Sequence, residues 1–308
     1  MSLRLALLNT ALRLFEKPFL ARVKDPARLR KSFETKARFW FHPPKGSRFQ
    51  PDQLAAHGNA VPAQWAKCGE TRKDRVILYF HGGGYVYGSS RTHRAMLAKL
   101  SGLTGLAACL LDYRLAPENP FPAAFDDATT AYQALLDRGF AKRQIVIGGD
   151  SAGGGLALAL LAEISRRHLP EPAGVFAFSP LTDLRFCSGS FSENADSEVV
   201  LPVTRATDMR KMYLQGQPPE DPRASPLFAS YTGTVPVWLT VSDSEVLLDD
   251  TRAMAGNLSR QGVDVQCRIA HNRPHVWPIF QRLLPEADQT LADVADWIRL
   301  LAPWSDDS

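Results

Sequence analysis

Ser151 sits at the centre of Gly149-Asp150-Ser151-Ala152-Gly153, and His81-Gly82-Gly83-Gly84 lies upstream; each string follows a strand-like apolar run. A Gly-x-Ser-x-Gly string between a strand and a helix forces a sharp turn. That turn lifts the serine hydroxyl to the rim of a sheet, with glycines beside it because larger side chains would collide. The pentapeptide alone is common by chance, but here Ile145-Val146-Ile147 runs in and Ala152 to Leu161 runs out with helical character. Three successive glycines let the backbone turn its N–H groups towards a bound oxygen with no Cβ in the way. Gly83 and Gly84 are therefore candidate oxyanion donors, joined by the Ala152 N–H in the first turn of the next helix. His81 and Asp150 are read as supporting residues. The chemistry this pairing predicts is acyl transfer to water through a covalent intermediate.

Such a serine needs a base and an acid, which follow it in the chain order serine, acid, histidine. Only His168, His271 and His275 lie after Ser151. His168 ends the nucleophile helix beside Arg166 and Arg167, a place for a solvated cation. His275 lies in Pro274-His275-Val276-Trp277, whose apolar neighbours can exclude water, and is preferred to His271. The acid must follow the Val237–Val241 strand. Asp249 and Asp250 open the next helix and read as cap or first-turn residues, which leaves Asp243 and Glu245, and spacing alone does not choose between them.

The elements that must position these residues alternate. Strands are predicted at Val76–Phe80, Leu106–Asp112, Gln144–Gly148, Val175–Phe178, Val237–Val241 and Val263–Ile269. Helices are predicted at Thr92–Leu103, Phe125–Leu136, Ala152–Arg167 and about 249–261 and 286–301. Short apolar strands alternating with amphipathic helices mean an α/β architecture: a mostly parallel central sheet with helices on both faces. Residues 183–233 break the rhythm with one helix, Thr204–Gln215, and a proline-rich stretch; such an insertion belongs over the edge of the sheet where ligands bind. Leu3, Leu5, Leu7, Leu8, Leu12, Leu14 and Phe15 mark an apolar helical side at the N-terminus that needs a partner surface.

Composition limits the alternatives. The 308 residues fit one large domain spanning 1–308, with a helical cap from about 1–50 and 183–233. The net charge of +4 hides twelve Lys/Arg against three Asp/Glu in residues 1–48. These are interleaved with Leu, Phe and Ala at helical spacing and read as a solvated helix face, so no nucleic-acid partner is expected. No run of about 20 apolar residues is present, so no stable membrane insertion is expected. Cys68, Cys109, Cys187 and Cys267 form no paired motif; they suggest reduced, mostly buried thiols and a cytoplasmic setting, with no metal site. No cofactor is needed for the chemistry read above.

Four strings together resemble the hormone-sensitive-lipase-like carboxylesterases, the bacterial family IV group of the α/β-hydrolases. They are His81 to Gly84, Gly149 to Gly153, Asp112 to Glu118 with Phe121 to Ala124, and Pro274 to Trp277. The resemblance runs from about residue 60 onward. It implies the α/β-hydrolase fold with a helical cap built from the N-terminal helices. The family writes its acid as Asp-Pro-Leu-x-Asp-Glu; aligning Leu247 and the acidic pair of Glu245-Val246-Leu247-Leu248-Asp249-Asp250 puts Glu245 at the acid position, with Asp243 in reserve. It further implies that Arg114 and Glu118 brace the loops and that Tyr85, Tyr87, Tyr213 and Trp277 line a pocket. The expected reaction is hydrolysis of short-chain acyl esters by Ser151, Glu245 and His275. The expected partners are a small-molecule ester or lactone and, through the sheet edge, a second copy of the chain. Lactone, amide or carbamate hydrolysis with the same triad, or a non-catalytic small-molecule receptor, are the competing readings.

Overall fold

The computed structural model describes residues 2–301. Eight strands form one sheet: β1 (Ser47–Ala56), β2 (Asn59–Cys68), β3 (Arg72–Phe80), β4 (Leu106–Leu111), β5 (Ile145–Asp150), β6 (Gly174–Phe178), β7 (Val237–Ser242) and β8 (Val265–Ala270). Their order is β1-β2-β4-β3-β5-β6-β7-β8; β1, β2 and β4 pair antiparallel and the remaining neighbours pair parallel. Between the strands run α4 (Ser90–Thr104), α5 (Ala123–Asp137), α6 (Ala152–Arg166) and α9 (Leu248–Arg260), and α10 (Pro285–Leu300) closes the described chain.

The period of two along each strand decides which helix it meets. Val76, Leu78 and Phe80 point into a core with Ala128 and Leu135 of α5, Leu156 of α6 and Leu258 of α9. Ile77 and Tyr79 point the other way, against Leu97 and Leu100 of α4 and Leu291 and Ile298 of α10. Both faces are covered, as the continuous apolar run of β3 requires.

The hairpin β1–β2 has no counterpart among the predicted strands. β1 carries Arg48, Gln50, Pro51, Asp52 and Gln53 and buries only Leu54 and Ala56, so it gives no apolar run to read. Its turn does follow a rule. Ala56 pairs with Asn59 across His57 and Gly58, both at positive φ (51° and 79°), the geometry of a tight two-residue hairpin. The N-terminal helical segment therefore ends at Trp40, short of the expected boundary near residue 50.

That segment comprises α1 (Leu3–Ala11), a π-helical turn over Leu12–Glu16, α2 (Lys17–Arg22) and α3 (Pro26–Trp40). The single apolar side expected for it splits in two: Leu5 is buried against Trp277, Leu284 and Ala287, while Leu3, Leu7, Leu14 and Phe15 face outward. The inserted segment holds α7 (Gly189–Glu193) and α8 (Ala206–Leu214), with no strand among its described residues. Cys109 is buried and Cys68 partly so, but Cys187 and Cys267 are exposed, which corrects the expectation of mostly buried thiols; all four are free.

Candidate active site

Ser151 stands between the end of β5 and the start of α6, with φ 51° and ψ −122°. A non-glycine residue there is strained, and the strain is held by the backbone around it. Its N–H donates to Phe178 O at 2.9 Å, and its carbonyl accepts from Gly155 and Leu181 N–H at 3.0 and 2.9 Å. The turn closes because Gly149 meets Gly153 backbone to backbone: a Cβ on Gly149 would fall 2.2 Å from Gly153 O.

The structure brings Ser151, His275 and Glu245 into one buried chain. Ser151 Oγ lies 2.9 Å from His275 Nε2, and His275 Nδ1 lies 2.6 Å from Glu245 Oε2. The other carboxylate oxygen, Oε1, accepts from Ser179 Oγ at 2.9 Å and from Ser242 N–H at 2.7 Å. Ser179 in turn accepts from the Val276 N–H at 3.3 Å, fixing the loop beside His275. Burial works against a charged His275, but the Glu245 carboxylate and the nearby Glu198 outweigh it and raise its pKa above the ordinary histidine value.

The reserve acid goes elsewhere. Asp243 Oδ2 sits 2.6 Å from Nδ1 of His271, and Oδ1 accepts from Asn272 N–H; His271 is exposed and Asp243 half-exposed. Asp249 and Asp250 do open α9, but both reach into the inserted segment. Asp249 accepts from Ser190 N–H, and Asp250 from Thr182 and Asp183 N–H. Burial pushes the Asp250 carboxyl up to about 7. His168 is exposed at the far end of α6.

The glycine run takes the conformation its composition permits. Gly83 has φ +119°, and a Cβ there would lie 2.0 Å from Tyr87 O. Among the described residues, the N–H groups of Gly83, Gly84 and Ala152 have no protein acceptor. His81 is buried, stacks on Tyr113 with ring centroids 4.3 Å apart, and has Nδ1 2.8 Å from Gly82 O. Burial, aided by His93, holds His81 down to about 4, so it is a neutral ring. Asp150 accepts from Tyr79 Oη at 2.8 Å and lies 3.3 Å from His93 Nε2. Arg114 pairs with Asp127, and Glu118 with Arg30, whose guanidinium also donates to Val86 and Ala116 carbonyls. The Arg30 contacts tie α3 to the loops around the glycine run.

Glu198 is a site residue with no motif around it in the sequence. It is buried, and its carboxylate, that of Glu245 and the His275 ring place ligand-type atoms within 4.8 Å of one another. Each of these groups already has protein partners: Glu198 Oε1 accepts from Val200 and Leu201 N–H, Oε2 from Val246 N–H. The cluster is thus a hydrogen-bonded network rather than a vacant ligand set. Burial raises the pKa of Glu198. Lys17 of α2 donates to the carbonyls of Ala195 and Glu198 at 2.6 and 2.7 Å, so the N-terminal helices hold the segment that carries it.

Above this chain lies a cavity of about 1040 Å³, reached by Ser151, His275 and Gly82 to Gly84 at its floor. Its walls are mostly apolar side chains from two places: Leu8, Phe19 and Phe33 of the N-terminal helices, and Leu201, Met209 and Met212 of the inserted segment. Of the four aromatic residues expected there, Tyr87 lines it. Tyr85 and Tyr213 instead stack on each other in the core, ring centroids 3.9 Å apart, and Trp277 packs beneath α1.

The chain is similar to several known proteins. A family model described as the alpha/beta hydrolase fold matches residues 77–279. An acetyl-hydrolase of Streptomyces hygroscopicus is 35% identical over 250 residues, covering 81% of this chain and 83% of its own. An esterase of Acinetobacter venetianus is 35% identical over 252 residues, 81% of each chain. A solved esterase of the bacterial hormone-sensitive lipase family superposes with a TM-score of 0.89 at 36% identity, covering 97% of this chain and 98% of its own. The esterase EstE5, soaked with p-nitrophenyl butyrate, gives 0.90 at 36% identity over 98% and 99%. The non-catalytic receptor reading is thereby set aside: the chain belongs to the α/β-hydrolase family, among its hormone-sensitive-lipase-like esterases, and is a carboxylic ester hydrolase.

Proposed function

We propose that Ser151 is the nucleophile, His275 the base and Glu245 the acid of a short-chain acyl esterase working through an acyl-enzyme. The observation that carries this reading is the unbroken chain Ser151–His275–Glu245 opening into an apolar cavity. Ser151 Oγ attacks the ester carbonyl carbon as its proton passes to His275 Nε2. The negative oxygen that develops is met by the free N–H groups of Gly83, Gly84 and Ala152. His275 returns its proton to the leaving alcohol, and water, deprotonated by the same ring, then cleaves the acyl-enzyme and restores Ser151. Glu245 fixes the ring tautomer and stabilises the imidazolium. The N-terminal helices and the inserted segment act as a cap that keeps bulk water from the acyl group. Four free thiols, two of them exposed, favour a reducing, cytoplasmic setting.

A panel of p-nitrophenyl esters of rising acyl length, with lactones and amides alongside, tests the substrate class. The expected result is the highest kcat/KM on short-chain esters; a preference for lactones or amides would keep the triad and overturn the substrate. Glu198 adds a pH test. His275 accepts a proton only when neutral, so the rate falls as pH falls through its raised pKa. Glu198→Gln keeps an acceptor oxygen but removes the charge. The acidic limb of the kcat/KM profile then moves to lower pH, while the plateau stays within several-fold. An unmoved limb would remove Glu198 from the electrostatics of the base.

A further inference from the structure

Six of the nine exposed large apolar side chains among the described residues lie before residue 41. Leu3, Leu7, Leu14 and Phe15 on the first helical run are 77%, 63%, 62% and 75% exposed, and Phe39 and Trp40 at the end of α3 are 68% and 62%. A helix that packs on a domain normally turns polar residues outward. This run buries Leu5 and still leaves four large apolar side chains exposed. Leu7, Phe15 and Trp40 also line the cavity, so the exposed apolar side chains form part of its rim.

The same surface is cationic. Arg4, Arg22, Lys24, Arg28, Lys31 and Arg38 are exposed and, among the described residues, none makes an ion pair or a side-chain hydrogen bond. The exposed acids of the segment are Asp25 and Glu34, and both are engaged: Asp25 caps α3 at Ala27 N–H, and Glu34 accepts from Ser89 Oγ. On α3, Arg28, Lys31, Arg38 and Phe39 fall within an arc of about 100°, so charge and apolar surface share one outer face.

Apolar side chains flanked by unpaired cations are the pattern of a surface that lies in the headgroup region of an anionic bilayer. No described helix is long and apolar enough to cross a membrane, so the contact is peripheral. We propose that the outer face of the first 40 residues docks on anionic lipid bilayers, with the cavity rim facing the lipid. Esters dissolved in the bilayer then reach the cavity without crossing bulk water. Of the occupants such a face could take, an anionic bilayer is the one that matches its charge; a second copy would bring six unpaired cations against six more. The proposal stands on surface chemistry and does not rest on the roles given to Ser151, His275 and Glu245.

Flotation of the full chain with phosphatidylcholine vesicles, with and without phosphatidylglycerol, tests it. The expected result is binding that needs phosphatidylglycerol and weakens as salt is raised. Leu3, Leu14 and Phe39 do not line the cavity. The combined change Leu3→Glu, Leu14→Glu and Phe39→Glu should lower the bound fraction by about tenfold or more, with p-nitrophenyl butyrate hydrolysis and the circular dichroism spectrum unchanged. Combined Arg28→Glu, Lys31→Glu and Arg38→Glu should do the same through charge. Absence of binding to either vesicle overturns the proposal. So does a dimer in solution that the apolar triple change converts to monomer, because the face would then be covered by a second copy.

Discussion

Ser151→Ala lowers kcat on a short-chain p-nitrophenyl ester by on the order of 10⁵ to 10⁶, the loss expected when a serine nucleophile acting with its base is removed. The fold is expected to survive it. Alanine keeps the Cβ that already occupies this turn at φ 51°, and the backbone bonds from Phe178, Gly155 and Leu181 that hold the turn do not use the hydroxyl. The residual rate comes from what remains: the free N–H groups at Gly83, Gly84 and Ala152 and the apolar cavity, which still orient the ester and stabilise charge on its oxygen. A fluorophosphonate should label the wild-type chain at Ser151 and leave the variant unlabelled. Retention of more than a small fraction of activity by a folded Ser151→Ala chain would overturn the nucleophile, and with it the acyl-enzyme.

Much of this site could be read from the sequence because its parts are local. A turn that must pass through φ 51° beside a close backbone contact demands small neighbours, so Gly149 and Gly153 announce Ser151. The buried strands β3 to β7 are apolar runs because helices cover both their faces. Glu198 could not be read in this way. Its part depends on Lys17, Val246 and His275 meeting it from distant points of the chain, and no short spacing encodes such a meeting. The hairpin β1–β2 was hidden for a different reason: an edge strand half in water needs few apolar residues. The outward turn of Leu3 and Leu7 of α1 is not legible because a helical wheel shows apolar positions but not which of two apolar sides meets the domain.

Glu245→Gln lowers kcat by on the order of 10⁴, whereas Asp243→Asn changes it by no more than a few-fold. The large effect follows from the hydrogen bonds that fix the new amide. Oε1 of Glu245 is met by two donors, Ser179 Oγ and Ser242 N–H, so a glutamine must place its carbonyl oxygen there. Its NH₂ group then faces His275 Nδ1, where the carboxylate oxygen stood at 2.6 Å. An amide donor at that point makes Nδ1 the acceptor and leaves the ring proton on Nε2, which faces Ser151 Oγ. The ring is then in the wrong tautomer to accept the serine proton, and the charge that stabilised the imidazolium is lost as well. Asp243 has no such lever. Its ring partner is His271, which is exposed, and an asparagine oxygen can still accept the Asn272 N–H. If Asp243→Asn proves the crippling change and Glu245→Gln the mild one, the acid has been assigned to the wrong loop position, and the buried chain from Ser151 through His275 to Glu245 would not be the catalytic one.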